Sequence, residues 1–370
     1  MKNSAKKLIT AFLSALLICV SLTCFGCGGK DYKATPVHLI SESEAEQNPV
    51  RPIDGRDERT VVGNDALERQ TSLLQIVKSG FKPVFESDSE TKTVYETAVN
   101  ILNRYIKNSF DEFERVHAIH DYLASAVVYD VALYNEYLSG INVGKEHDSF
   151  NLFGAIVSKK AVCDGISKAF SLLCAIEGIE SALIYGEYTT EGGVAAHVWN
   201  KVKVDGNWYN ADVTLDTARV DIAGEQRRYV HHGFFLISDR RNEAETFGAH
   251  RADPDYEVNP VNEATPDEGY GAYESMYIDA GGESHCAALR SEEELTALLR
   301  SVGKSKKQVA ALDIQLCFEG VNEDRIGAFD YYLKTALAEV RNTDFPFDPG
   351  KGIRPYVQYP DGVILLFIYR

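Results

Sequence analysis

Cysteine is sparse. Of seven in 370 residues, Cys19, Cys24 and Cys27 sit near the start, leaving Cys163, Cys174, Cys286 and Cys317 spread over the rest. That is too few for a disulfide framework and leaves room for a free thiol, although Cys286 and Cys317 fall on two expected strands of one small unit and could pair. Beyond residue 27 there is no CxxC, and the chain has no HxxxH, no HExxH, no calcium-binding EF-hand loop and no glycine-rich phosphate loop. No local motif therefore specifies a metal centre or a nucleotide fold. His117 and His120 share a helix face, but Phe113, Val116, His120, Leu123 and Val127 form one apolar stripe, so His120 reads as a satisfied core histidine. His231 and His232 point opposite ways on a strand. No metal and no cofactor are expected. Positive charge is short as well: 38 Lys and Arg against 55 Asp and Glu give a net charge of −17, which argues against nucleic acid as a partner.

What is present begins with a leader. Lys2, Lys6 and Lys7 precede an apolar run from Leu8 to about Cys24, followed by Phe25-Gly26-Cys27-Gly28-Gly29-Lys30. This reads as a secretory signal. The small residue before Cys27 resembles a bacterial lipoprotein processing site, with Cys27 becoming the lipid-bearing first residue; Cys24 is the other acceptor. An uncleaved anchor is the third reading, on a run slightly short for a full span. Each places the body outside the cytoplasm, tethered to the cell membrane through Cys27 in the first case. Composition then divides the chain into a signal over 1–26, a flexible tether over 27–59, a main domain over 60–250, a Pro-, Gly- and acid-rich linker over 251–282, and a small unit over 283–370. Helices are expected over 91–106 and over 109–127, the latter with Ser109 and Glu112 as a capping box. The last unit reads as βαβαββ, an α+β sandwich.

The chemistry-bearing stretch is Ala161-Val162-Cys163-Asp164-Gly165-Ile166-Ser167-Lys168-Ala169-Phe170, a turn opening a buried helix. Cys163 thus heads a helix, where free N–H groups and the macrodipole favour a thiolate. Cys174, within an apolar run, reads as core. Downstream, Ala196 to Val204 and Asn207 to Val213 flank Asp205-Gly206, a two-residue hairpin turn. If Val204 faces Asn207, Trp199 faces Asp212 and His197 lies diagonal to Asp212 on the same sheet face, within side-chain reach; a one-residue slip would part them. A cysteine to attack a carbonyl, an imidazole to move its proton and a carboxylate to orient the ring make a nucleophilic triad.

The Ala-Val-Cys-Asp-Gly helix start, His197-Val198-Trp199-Asn200, and Asp205-Gly206-Asn207-Trp208-Tyr209 leading to Asp212-Val213-Thr214 resemble the transglutaminase-like superfamily in its bacterial secreted branch, over roughly residues 95–250. Ala118 to Leu123, Tyr129-Asp130 and Phe234 to Asp239 are similar to it too. The resemblance implies a papain-like α+β core, ahead of the small βαβαββ unit, with Cys163 as nucleophile, His197 as base and Asp212 as its orienter. It further implies an oxyanion donor, for which Tyr129 is the candidate, and substrate-groove residues, for which Trp199 and Asp164 are candidates. The pattern departs from the family at Phe153, Ile166, Asn210 and Leu215, none of them in the triad. The implied activity is that of an extracytoplasmic cysteine hydrolase or acyltransferase, which forms a thioester from a peptide or protein amide at the cell surface and passes it to water or an amine. The alternative is a catalytically idle, surface-anchored module that binds peptides or cell wall.

Overall fold

The computed structural model describes residues 51–60, 66–141, 143–190, 193–222, 225–230, 232, 234–243, 249–254, 265–266, 270, 277–278, 282–289, 291–303, 309–316, 331, 334–336, 338, 357–359 and 362–368. The leader with Cys27, most of the tether, His231 and Cys317 lie outside these residues, so the readings placed on them are not addressed by the fold.

Short parallel strands β1 (Glu58–Thr60) and β2 (Lys82–Val84) bracket helix α1 (Ala66–Lys78). Helix α2 (Glu90–Tyr105) starts at Ser89, whose side chain accepts from the Lys92 N–H, and buries Val94, Ala98, Ile101 and Leu102 at helical spacing. Helix α3 (Glu112–Ala126) begins two residues later than the sequence suggests. Its cap is Asp111, which accepts from the Glu114 N–H while Glu114 returns the bond to the Asp111 N–H. Ser109-x-x-Glu112 and Asp111-x-x-Glu114 both satisfy the capping pattern, and sequence alone does not choose between them. Strand β3 (Val128–Tyr129) pairs parallel with β4 (Lys160–Ala161), with helix α4 (Val131–Leu138) between them, capped by Asp130.

Helix α5 (Cys163–Ile176) is the hub of the core. Its Ile166, Ala169, Phe170, Leu172, Leu173 and Ile176 are buried against α1, α2 and α3. Gly165 is required by close approach: a Cβ there would lie 2.5 Å from the Ser149 carbonyl oxygen. The other face of α5 meets a five-stranded antiparallel sheet of order β10-β7-β6-β5-β11, made from β5 (Ser181–Thr190), β6 (Gly193–Val204), β7 (Asn207–Ala211), β10 (Phe235–Ile237) and β11 (Ala249–Ala252). Strands β8 (Thr217–Ile222) and β9 (Glu225–Val230) form a separate hairpin, joined at its edge by β12 (Tyr277–Ile278). Further along, β13 (Gly282–Leu289), helix α7 (Glu292–Gly303, following the one-turn α6 at Asp239–Asn242), β14 (Val309–Leu316), β15 (Val357–Tyr359) and β16 (Gly362–Ile368) give a four-stranded sheet of order β13-β14-β16-β15. The mixture of packed helices and antiparallel sheet is the α+β class that the sequence implies.

The β6–β7 register is as expected, with Val204 opposite Asn207 and Asn200 opposite Ala211. Both turn residues have positive φ, 49° at Asp205 and 82° at Gly206, as a type I′ turn demands.

The C-terminal end of α5 is fixed by charge. Glu177, its side chain fully buried, accepts from Arg51 Nη1 at 2.6 Å and from Arg115 Nη1 at 2.9 Å. Burial pushes the Glu177 carboxyl up, and the two guanidiniums oppose that shift. The cluster ties the segment before β1 and the first turns of α3 to α5. Glu177→Ala would leave Arg51 buried with its charge uncompensated, and is expected to cost about 3–5 kcal/mol of unfolding free energy. Urea titration followed by circular dichroism checks this; a loss below about 1 kcal/mol would show that water replaces the pair.

Candidate active site

Three elements supply the site, and hydrogen bonds fix them to one another. Cys163 is the first residue of α5, after Val162, whose side chain makes no cap. The N–H groups of the first helical turn have no intrahelical acceptors, so they remain available beside the sulfur. Helix and sheet are pinned by Ser167 Oγ, which donates to the Val198 carbonyl at 2.9 Å, and by Asn200 Nδ2, which donates to the Ser167 carbonyl and to Ser171 Oγ, both at 3.1 Å. These bonds set the height of Cys163 against His197, which lies one residue before Val198 on β6.

His197 stands opposite Gly186 on β5. A Cβ at residue 186 would lie 2.1 Å from the Arg251 carbonyl oxygen, so glycine lets β11 close against the strand beside the site. The ring of His197 points its Nε2 at Asp212 Oδ2, 2.5 Å away, and its other nitrogen is left to the neighbouring Cys163 sulfur, which helps hold the ring charged. Asp212, just past the end of β7, is held by backbone. Its N–H donates to the Phe234 carbonyl at 3.0 Å, and its Oδ1 accepts from the Leu215 N–H at 3.1 Å. Burial pulls the His197 pKa down, but Asp212 and the Cys163 sulfur outweigh this and lift it to about 10. Burial alone would raise the Asp212 carboxyl; His197 and His250 overcome it and hold it low.

A pH dependence follows. The folded value for His197 lies above the roughly 6.5 of an unfolded chain, so its contribution to stability is fully present below about pH 6.5 and is lost as the pH rises towards about 10. The difference in melting midpoint between wild type and His197→Gln is therefore expected to shrink steadily from pH 6 to pH 9.5 in a scanning calorimeter. A constant difference would mean that the ring is not held as an imidazolium.

The sulfur opens onto a cavity of 760 Å³ lined by Tyr129, Tyr134, Tyr185, Cys163, Asp164 and His197, among others. Tyr129, on β3 opposite Ala161 of β4, lines the same cavity as the sulfur and lies close enough to feel it electrostatically. Burial and the Cys163 sulfur push its phenol well above the usual range, which keeps it protonated and able to donate. Asp164 is at the cavity wall, bonded to Lys168 Nζ at 2.9 Å and to the Tyr185 hydroxyl at 3.4 Å. Trp199 is elsewhere, and this corrects its assignment to the groove. It is 2% exposed, packs beside His197 and His250, and donates its indole N–H to Asn210 Oδ1 at 3.1 Å. The strand alternation that puts His197 on the face of Asp212 puts Trp199 two residues on, on the same face, where the His250 ring packs against it. Asn210, where the resemblance would have histidine, is engaged by Trp199 and donates to Asp239 at 2.8 Å. Cys174 is fully buried in the core, its thiol pushed up by burial.

One site residue escapes sequence reasoning altogether. His250, on edge strand β11 opposite Tyr188, places its Nε2 2.9 Å from Asp212 Oδ2. The same carboxylate oxygen thus receives two imidazoles. No spacing motif marks His250; only the pairing of β11 with β5 brings it to Asp212.

Among the described residues, two groups of imidazoles and a carboxylate are close enough to share a cation: His197 with Asp212 and His250, and His117 with Asp121 and His232. The first is already committed to orienting the ring over the sulfur. The second is remote in sequence, Asp121 and His232 lying 111 positions apart, which is why neither the helix pattern nor the His231-His232 pair exposes it.

A cysteine at a helix start, beside an imidazole that is bonded in turn to a buried carboxylate, is the arrangement the core presents. Residues 99–213 match the Transglutaminase-like superfamily. The matched stretch contains Cys163, His197 and Asp212 and stops short of His250. Among curated proteins the chain is similar to kyphoscoliosis peptidase of Mus musculus, 21% identical over 161 residues, which is 41% of this chain and 23% of the mouse protein. The chain therefore spans under a quarter of that relative's length. Among solved structures it is similar to a transglutaminase at a TM-score of 0.29 and 19% identity, covering 41% of this chain and 34% of the other. It is also similar to an arylamine N-acetyltransferase from Bacillus cereus with a Cys-His-Glu triad, at a TM-score of 0.26 and 11% identity, covering 44% and 65%. Among the described residues, no helix is long and apolar enough to cross a membrane.

Proposed function

We propose that the transglutaminase-like core is a thiol acyltransferase or hydrolase acting on peptide or protein amides, with Cys163 as nucleophile, His197 as proton carrier and Asp212 as its positioning residue. The observation that carries this is the unbroken line from the sulfur through His197 to Asp212, with the sulfur facing the cavity. In the forward step the sulfur of Cys163, its proton already carried by the His197 imidazolium, bonds the amide carbon as a thiolate. The carbonyl π pair moves to oxygen, where the Tyr129 hydroxyl and the Cys163 N–H are placed to receive it. Collapse breaks the C–N bond, and the leaving amine takes the proton from His197, leaving a thioester. Water or a second amine then attacks the thioester, His197 takes a proton from it, and the thiol is restored.

Lys2, Lys6 and Lys7 with the apolar run to Cys24, and Cys27 after a small residue, support the further reading that the enzyme works outside the cytoplasm on a lipid tether, on substrates at the cell surface. The net charge of −17 is in keeping with such a partner rather than nucleic acid.

Iodoacetamide labelling of the native protein, read by peptide mass spectrometry, tests the proposal. Cys163 is expected to label at least about tenfold faster than Cys174, whose thiol is buried with its pKa raised, and the advantage is expected to collapse in His197→Ala. Equal labelling of the two thiols, or labelling of Cys163 indifferent to His197, would favour the binding module over the enzyme.

A further inference from the structure

Behind the site lies a second polar cluster that the proposed reaction does not use. His117 and Asp121 are one turn apart on α3, and His232 follows β9. Asp121 separates its two oxygens between them: His117 Nε2 lies 3.0 Å from Oδ2, and His232 Nε2 lies 2.6 Å from Oδ1. All three residues are at most 7% exposed, and their ligand atoms lie within 4.8 Å of one another. Behind Asp121, His120 Nδ1 reaches Oδ1 at 2.9 Å while His120 Nε2 reaches Asp216 Oδ2 at 2.9 Å. Phe235 covers the rings of His117, His120 and His232, with centroids 4.7–5.8 Å away. Two carboxylates and three imidazoles are thus gathered in a region walled by an aromatic ring, an arrangement costly to bury unless each group has a partner.

We propose that His117, Asp121 and His232 form a binding site for a divalent transition-metal ion of the zinc class, with His120 and Asp216 as the partners that orient Asp121. Two imidazoles and a carboxylate are a donor set such ions accept, at bonds of about 2.0–2.2 Å. Seating an ion requires the two nitrogen–oxygen pairs to open by less than about an ångström. A carboxylate–imidazole–carboxylate relay behind a ligand is the arrangement by which proteins fix ligand orientation, and its loss costs about 10–100-fold in affinity. The site has a mechanical consequence. His232 is two residues before Phe234, whose carbonyl receives the Asp212 N–H and whose N–H donates to Asp216 Oδ1 at 2.9 Å. An ion bridging α3 to His232 would clamp the segment that anchors the Asp212 turn. The binding claim itself does not depend on the catalytic reading.

The test uses the full chain carrying Cys163→Ser, so that the thiol cannot bind zinc, stripped with chelator and re-equilibrated with zinc chloride against a chromophoric competitor. Bound metal is read by mass spectrometry after desalting. One zinc per chain is expected, with a melting midpoint raised by roughly 5 °C at saturating zinc. His117→Gln with His232→Gln should abolish both, and Asp216→Asn should weaken binding about 10–100-fold. His117→Gln alone, at the most exposed of the ligands, serves if the double variant does not fold, and should weaken binding by at least about tenfold. Absence of stoichiometric zinc after desalting would overturn the proposal. So would binding that survives these substitutions but is lost in His250→Gln.

Discussion

His197→Ala is expected to lower turnover of an amide substrate by about 10⁴–10⁶-fold, and Cys163→Ala by as much, with the double variant no worse than either single one. The reason is geometric. The ring is held by a 2.5 Å bond to Asp212, and its remaining nitrogen faces the sulfur, so no other base among the described groups is in line to take the thiol proton. Because the two side chains act as one unit, removing either removes the whole step, and the losses do not add. A screen of amide-bearing peptides with wild type and Cys163→Ala, scoring released ammonia or amine, provides the substrate; single-turnover kinetics on the variants then gives the ratio. Additive losses, or a His197→Ala effect below about tenfold, would remove His197 from the chemistry.

Tyr129→Phe is expected to reduce kcat by about 10²–10³-fold with little change in KM, the signature of a contact made mainly in the transition state. The hydroxyl lies beside the sulfur in the resting protein and stays protonated because burial and the Cys163 sulfur both disfavour the phenolate. As the sulfur gives up its lone pair to carbon, that donor is freed for the oxyanion beside it. Phenylalanine keeps the ring and its edge-on packing against Tyr134, 6.0 Å between centroids, so the melting midpoint should hold steady. A matched fall in kcat and midpoint would mark Tyr129 as packing alone, and unchanged kcat would pass the donor role to the backbone.

Sequence and structure agree most closely where one local rule dominates. Asp205-Gly206 admits positive φ at both positions, so the hairpin turn and with it the β6–β7 register could be read directly, and the meeting of His197 with Asp212 followed from counting. The cap of α3 could not be read so, because two overlapping patterns compete there and only packing chooses Asp111. Trp199 was misplaced for a related reason. Alternation gives the face of a sheet, but not whether a cavity or another strand covers that face. His250 and the His117, Asp121 and His232 cluster were invisible, since their members come from segments that no periodicity links.

Which residue types could do chemistry, and which neighbours they would keep, was legible in the chain alone: a cysteine at a helix start, a histidine and an aspartate across a two-residue turn, an α+β core. Those features rest on backbone conformation over a few residues, where propensity and period decide. Tertiary structure alone decided that the Cys163 helix docks at the height of His197, that β11 brings a second imidazole to Asp212, and that three distant side chains converge behind the site. Such contacts depend on how whole elements pack, a choice made by burial summed over the core rather than by any short stretch of chain.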